Sequence, residues 1–362
     1  MTNLQLTRAK ENPIITKSMI SPSHPNLQVI GVFNAAVTEY QDETLLLLRI
    51  AETGICNKDE AYVLPFYEDG KLRFNRITKQ DYKKHYEARD KRSIHKKHNQ
   101  TIRINGLTSL SHFRLARSHD GINFTIDKTP TLFPQTPYES WGIEDPRITK
   151  IGNTYHILYT AVSAQGVAVA RISTKDFKAY KRHGVMLPPE NKDAVLFPEK
   201  IRGKYVVCHR PVPKTIGSLN MWVAHADDLS YWGEHKWMMS PRENHFDSER
   251  IGAGAVPIKT DAGWLHIYHG ANYAQTYALG AALSDHNYPE RIIRRLKAPL
   301  LEPKTDYETN GFFSNTIFTC GAIRRTNDVI DVYYGASDDK IAMVSLSLTS
   351  LLEVLNDGTA IG

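Results

Sequence analysis

A short run of alternating apolar and aromatic residues returns along the chain about every 50–60 residues, and this period limits the possible folds more than any other feature. The runs are TLLLLR (44–49), YHILYT (155–160), YVVCHR (205–210), WLHIYH (264–269) and IDVYYG (330–335). A second run built on a small residue keeps step with them. Ala116, Ala170 and Ala224 are 54 residues apart, and Ala282 and Ala342 follow at 58 and 60. Each unit therefore holds several strands, and five units fill the chain if the first begins near Phe33. Such repetition predicts an all-β protein, a five-bladed β-propeller forming a single domain over residues 1–362. A pair of β-sandwiches with coincidental spacing is the alternative. Helical periodicity is confined to a basic insertion in the first unit, at about 75–105, and to SLTSLLEVL near the C-terminus, which predicts a short final helix.

The net charge of +6 would suggest a nucleic-acid partner if it were spread along a surface. It is not. The stretch 79–103 holds nine Lys or Arg against three Asp or Glu, so it carries the whole surplus and leaves the rest of the chain neutral. That pattern reads as a solvated helical insertion or a subunit contact, with no nucleic acid and no membrane as partner and a homodimer as the expected assembly. His95 and His98 in the insertion form no metal-ligand set. Cys56, Cys208 and Cys320 show no paired spacing, the first residues lack the apolar core of a signal peptide, and no apolar run approaches a membrane span. A cytoplasmic protein is expected.

Candidate chemistry begins at SWGIEDPRIT (140–149), where Glu144 and Asp145 stand side by side at a strand entry. Side chains of a regular strand alternate faces, so only one of the two can face the centre of a radial fold. Asp145 lies ten residues before Tyr155, and Asn34 lies ten before Thr44, so the phase selects Asp145 and pairs it with Asn34. The ends of the aligned runs are Arg49, Thr160, Arg210, His269 and Gly335, which predicts that Arg49, Arg210 and His269 converge on one pocket. Cations around one carboxylate suit cleavage of a glycosidic bond with inversion. If water is the nucleophile, a second carboxylate must act as base; if phosphate is, fixed positive charge must hold it. Arg210, His269, Arg250 and Lys192 supply that charge in this reading.

The segments GIEDPRI, VLFPEKIRGKYVVCHRP, GAGAVPIKTDAGWLHIYHG and VYYGASDDKIA resemble glycoside hydrolase family 130, the mannoside phosphorylases and related mannosidases on a five-bladed propeller. The resemblance runs from about Asn12 to Ser347, apart from the insertion. It implies an inverting phosphorylase that cleaves β-mannosides, with β-1,2-mannobiose the expected substrate, to α-mannose 1-phosphate and mannose, reversibly. Inorganic phosphate is then the co-substrate, with no other cofactor and no metal. The aspartate of the EDPR motif, here Asp145, becomes the general acid, passing its proton through the 3-hydroxyl of the bound mannose. Lys192, Arg210, Arg250 and His269 become the phosphate-binding set, and Asn34, Arg49 and Asp338 hold the mannose. Lys192 departs from the pattern, which leads one to expect arginine; it keeps the charge and loses the fork. Two rivals stand beside this expectation. An inverting β-mannosidase would take its base from Glu243, Asp247 or Glu249. A glycan-binding propeller without catalysis would show Asp145 wholly paired to an arginine and remote from the sugar.

Overall fold

In the computed structural model, residues 4–97 and 104–357 are described. Each predicted run is the second strand of an antiparallel unit. Unit I is Leu27–Tyr40, Glu43–Gly54 and Leu110–Ser118, edged by Thr125–Ile126; unit II is Gly142–Ile151, Thr154–Ser163, Gly166–Thr174 and Tyr180–Leu187. Unit III is Asn191–Leu196, Tyr205–Pro211, Met221–Ala226 and Gly233–Met239, and unit IV is Arg250–Ala253, Gly263–Ala271, Tyr277–Ser284 and Ile292–Arg295. Unit V comprises Ile317–Arg324, Val329–Ala336 and Lys340–Ser347, completed from the other end of the chain by Leu6–Arg8 and Ile15–Thr16. Units I and II share one sheet through a single parallel pair, Ser111 with Gly142. Gly142 sits at φ 124°, and a Cβ there would lie 2.7 Å from the Ser111 nitrogen, so this junction admits only glycine.

The second strands are buried on both faces, and this explains their nearly continuous apolar character. In unit I, Leu45 and Leu47 pack with Ile157, Tyr159 and Ala170 of unit II, whereas Leu46 and Leu48 pack with Tyr333, Ile341 and Met343 of unit V. The same division recurs along the chain. Leu158 and Val169 of unit II meet Leu196 and Val207 of unit III; Val206 and Cys208 meet Trp264 and Tyr268 of unit IV; Leu265 and Ile267 meet Val332 and Tyr334 of unit V. Every unit thus shares a core with its successor, and the last shares one with the first.

The insertion differs from expectation. It extends from Glu60 to Leu107, and its helix is limited to Lys79–His85, capped where the Thr78 hydroxyl accepts the Asp81 N–H. The remainder is a hairpin, Glu60–Glu68 with Lys71–Thr78, and a three-stranded sheet of Tyr86–Asp90, Ser93–Lys96 and Ile104–Leu107. Charge density hid a period of two: Ile94 turns into a small core with Leu64 and Ile77, against which Tyr62, Tyr82 and Tyr86 pack. His98 lies outside the described residues. The final helix, Leu348–Asn356, sets Leu348, Leu351 and Leu355 on one face against the core shared by units IV and V. Among the described residues, no helix is long and apolar enough to cross a membrane.

Candidate active site

The first strands of units I, II and III carry the same irregularity. Their ladders slip between Phe33 and Ala36, between Glu144 and Arg147, and between Lys192 and Val195. Inside each bulge one short polar residue adopts the left-handed conformation: Asn34 at φ 50°, Asp145 at φ 50° and Asp193 at φ 52°. Asparagine and aspartate tolerate this region better than other side chains, and a bulge re-aims the side chain it carries. The backbone itself therefore directs three polar groups out of the sheets.

Around Asp145 the partners come from unit I. Asn34 Nδ2 donates to Asp145 Oδ1 at 2.8 Å, and an Arg49 terminal nitrogen donates to the same oxygen at 2.8 Å. The other Arg49 terminal nitrogen reaches Glu144 Oε1 at 2.6 Å, and Arg49 Nε donates to Ser111 Oγ. Strand alternation does not separate the two carboxylates, because the bulge after Glu144 removes it; one guanidinium grips both. Burial pushes the Asp145 carboxyl up, but the Arg49, Lys192 and Arg147 charges, with the Asn34 bond, outweigh it and hold the group below the usual carboxylate range. Both bonds fall on Oδ1, which leaves Oδ2 for another partner.

Asp338 belongs to the same centre. It follows Ser337 in a left-handed turn at φ 50°, beyond the second strand of unit V, and its carbonyl oxygen packs against Gly31 of unit I. Burial drives its carboxyl up to about 6, with Arg49 pulling it down and Asp145 pushing it up. Asn34, Arg49, Asp145 and Asp338 are therefore brought together.

Arg210 and His269 do not join that group; they meet at Asp193. The Arg210 guanidinium lies 2.9 Å from Asp193 Oδ2, and His269 Nε2 lies 3.2 Å from the same oxygen. Gly252 makes this possible, since a Cβ there would fall 2.5 Å from both Asp193 Oδ2 and His269 Nε2. Burial lowers the His269 imidazole to about 4, with Asp193 raising it and Arg210 lowering it, so His269 is neutral near pH 7. It acts as a directed polar group, and the positive charge expected of it comes from Arg210, Lys192 and Arg147. Asp193 itself is pulled well below the usual range: burial raises it, and Arg210, His269 and Lys192 overcome that.

Arg147 joins the two centres. Buried beside Phe318, it donates to the carbonyl of Asp145 at 3.0 Å and to those of Ala253 and Gly254, while its guanidinium stands 3.7 Å from Asp193 Oδ1. Lys192 is in register with Arg210 and acts on both carboxylates through its charge. The Arg250 guanidinium donates to Tyr277 Oη at 3.0 Å and to Glu249 at 2.5 Å.

The carboxylates that hydrolysis would need are otherwise engaged. Asp247 is fully buried and takes bonds from Arg242, Arg295 and Tyr268, a structural knot. Glu249 is committed to Arg250 and Gln275, and Glu243 is exposed.

The residues that the sequence reading missed are Asp193 and Arg147. Asp193 escaped because it precedes Tyr205 by twelve residues, two more than its counterparts, so counting from the aligned runs passes it by. The local words NAAV, DPRI and DAVL, each a short polar residue followed by a small or imino residue, mark all three bulges. Arg147 stands within the DPRI word, adjacent to the assigned carboxylate. Among the described residues, no group of three or more His, Cys, Asp or Glu could hold a metal ion.

Comparison with known proteins bears on this geometry. A family model described as beta-1,4-mannooligosaccharide phosphorylase, that of glycoside hydrolase family 130, matches residues 101–357. The beta-1,2-mannobiose phosphorylase of Listeria innocua serovar 6a is 43% identical over 357 residues, 97% of this chain and 99% of that one. The 1,2-beta-oligomannan phosphorylase of Thermoanaerobacter sp. strain X514 is 40% identical over 245 residues, 67% of this chain and 80% of that protein. The solved structure of the Listeria innocua enzyme in complex with beta-1,2-mannobiose superposes with a TM-score of 0.93, covering 98% of this chain and 99% of that one. The chain belongs to glycoside hydrolase family 130, the mannoside phosphorylases.

Proposed function

We propose that the chain is an inverting phosphorylase of β-1,2-mannobiose, built as a single five-bladed propeller in which units I to V are the blades and Asn34, Asp145 and Asp193 look into the central channel. The non-reducing mannose lies against Asn34, Arg49 and Asp338. Phosphate is held by Lys192, Arg210, Arg250 and His269 below the anomeric carbon. A phosphate oxygen forms the new bond to that carbon as the glycosidic bond breaks on the opposite face, and Asp145 supplies the proton that the leaving oxygen takes up, through the mannose 3-hydroxyl. The products are α-mannose 1-phosphate and mannose, and the step is reversible because the phosphoester retains much of the glycosidic bond's free energy. A cytoplasmic homodimer is the assembly that accompanies this reading.

One observation carries the proposal: Arg147 and Lys192 act on both Asp145 and the neighbouring Asp193, where the buried Arg210 also sits, while Glu243, Asp247 and Glu249 are exposed or already bonded. Fixed positive charge suits a phosphate nucleophile, and water would need a base carboxylate. The electrostatics also connect the two substrates. Lys192 and Arg147 help to hold Asp145 ionised, and phosphate bound against them offsets their charge, so Asp145 gains its proton as the nucleophile arrives. The test is incubation with β-1,2-mannobiose with and without inorganic phosphate, followed by phosphorus NMR. Phosphate-dependent mannose 1-phosphate is the expected result; mannose released equally without phosphate would establish a hydrolase, and binding without turnover a glycan-binding protein.

A further inference from the structure

Two arginines of the cation set have carboxylate partners, and the two pairs are built differently. Arg210 faces Asp193, whose side chain is completely buried and is also met by Arg147 and His269. Arg250 faces Glu249, its neighbour in the chain, and these two side chains are 24% and 22% exposed. The pairs adjoin in the fold. Arg210 donates to the carbonyl of Ile251 at 3.4 Å, and Gly252, two residues beyond Arg250, is the glycine that admits the contact of Asp193 with His269.

Glu249 is held at the entry to the strand Arg250–Ala253, where its N–H donates to the carbonyl of Ala271 at 2.9 Å. Its Oε1 takes the Arg250 bond, and its Oε2 takes one from Gln275 Nε2 at 2.6 Å. The amide oxygen of Gln275 accepts from Arg250 at 3.4 Å, so the three side chains form a closed ring. Gln275 is placed by a tight turn, with its N–H donating to the Asn272 carbonyl at 2.9 Å, the Thr276 N–H donating to Asn272 Oδ1 at 3.0 Å, and its own backbone at φ 61°. The second terminal nitrogen of Arg250 has a neutral partner, Tyr277 Oη, and the Tyr277 ring stacks toward that of His269. Among the described residues nothing accepts from the buried Arg250 Nε.

The two carboxylates differ in what it costs them to let go. Asp193 cannot release its arginine, because a buried carboxylate left alone is strongly disfavoured. Glu249 can, because a partly exposed carboxylate exchanges its cation for water at small cost, and Gln275 still holds its other oxygen. We infer that Glu249 is the exchangeable counter-ion of Arg250, displaced from the guanidinium when phosphate binds, and that it thereby sets, and weakens, the affinity of the site for phosphate. The inference rests on the phosphorylase reading above, with Arg250 among the phosphate ligands. Phosphate takes over the charge-assisted bond that Glu249 gives up. Mannose 1-phosphate, the anion of the reverse reaction, makes the same exchange. Glu249 is freed only as phosphate takes its place, so it is not left as a base for water.

The experiment measures initial rates of phosphorolysis against inorganic phosphate, and of the reverse reaction against α-mannose 1-phosphate, for the full-length wild-type chain, Glu249→Gln, Gln275→Glu and Arg250→Gln. Glu249→Gln keeps the size and a bond-accepting oxygen but removes the charge. It should lower the KM for both anions by about fivefold, the scale of one partly exposed ion pair, and leave the KM for mannobiose within about twofold of wild type. Gln275→Glu adds a second carboxylate beside Arg250 and should raise both anion KM values. A residue that merely orients Arg250 gives the opposite sign in Glu249→Gln, since a misplaced arginine binds phosphate less well. A phosphate KM in Glu249→Gln that is raised, or unchanged within about twofold, therefore overturns the inference. Arg250→Gln checks the assignment beneath it and should raise the phosphate KM by about tenfold or more, the scale of a lost charge-assisted bond. If it does so while Glu249→Gln fails to lower the KM, only the counter-ion is defeated. If Arg250→Gln leaves the phosphate KM unmoved, Arg250 is not a phosphate ligand and the inference falls with it, whereas wild-type turnover without phosphate defeats the phosphorylase reading itself.

Discussion

Replacing Asp193 with asparagine tests the electrostatic core of the site without prior assumption about substrate. The carboxylate is fully buried and faces the Arg210, Arg147 and His269 side chains, which are 6%, 1% and 1% exposed. His269 is already neutral near pH 7 and needs no counter-charge, so the cost of the substitution comes from the two guanidiniums. Removing one partner of a buried ion pair costs about 3–5 kcal/mol. The amide oxygen of asparagine still accepts one hydrogen bond and fills the same volume, which puts Asp193→Asn near the lower end, about 3 kcal/mol. Urea unfolding at pH 7 reads this directly. The pH dependence carries a second check. The folded Asp193 titrates well below its unfolded value of about 3.9, so its contribution is complete above that value and is lost as pH falls through the folded value. The gap between variant and wild type should stay constant from about pH 5 to 8 and close only in stronger acid. Combining Asp193→Asn with Arg210→Gln should cost less than the sum of the two single changes, because the pair is broken once. A loss below about 0.5 kcal/mol, or strict additivity, would refute the claim that Asp193 neutralises these arginines.

Other outcomes follow from the same geometry. Asp145→Asn keeps the bulge and removes the proton, so kcat for phosphorolysis should fall by about 10²–10⁴, while the KM for phosphate falls because the neutral amide no longer opposes the anion; activity within tenfold of wild type would remove Asp145 from the general-acid role. Asp338 titrates at about 6 when folded, above its unfolded value, so the proton it binds stabilises the fold in acid and that contribution is lost as pH rises through about 6. Asp338→Asn should therefore melt higher than wild type at pH 8 and lose that advantage at pH 4, and the reverse order would contradict the assigned environment. Phosphate binding should be accompanied by proton uptake if the nucleophile raises the proton affinity of Asp145. Titration calorimetry in two buffers of different ionisation enthalpy measures that uptake, and Asp145→Asn should diminish it.

The strands were legible because both their faces are buried: Leu45 through Leu48 read as apolar whichever neighbour each one packs against, and that pattern survives without knowledge of the partners. Asn34 and Asp145 were legible from spacing because the connections that follow them have the same length. Asp193 was not, since the connection in unit III is two residues longer, and the neutrality of His269 depends on burial that no local word encodes. The insertion misled for a further reason, that its abundant lysines and arginines obscured the alternation around Ile94.

What local sequence does encode is the bulge, and this has a consequence for how the site can be dissected. At Asn34, Asp145 and Asp193 the residue that supplies the polar group also supplies the left-handed backbone that aims it. An alanine at such a position removes the side chain and adds about 1–2 kcal/mol of backbone strain, so its effect on activity mixes chemistry with geometry. Asparagine and aspartate exchange without that strain. An Asp145→Asn enzyme that has lost turnover but still binds mannobiose isolates the proton, whereas the same loss in Asp145→Ala would be equally well explained by a bulge that has relaxed into regular strand and turned the site away from the sugar.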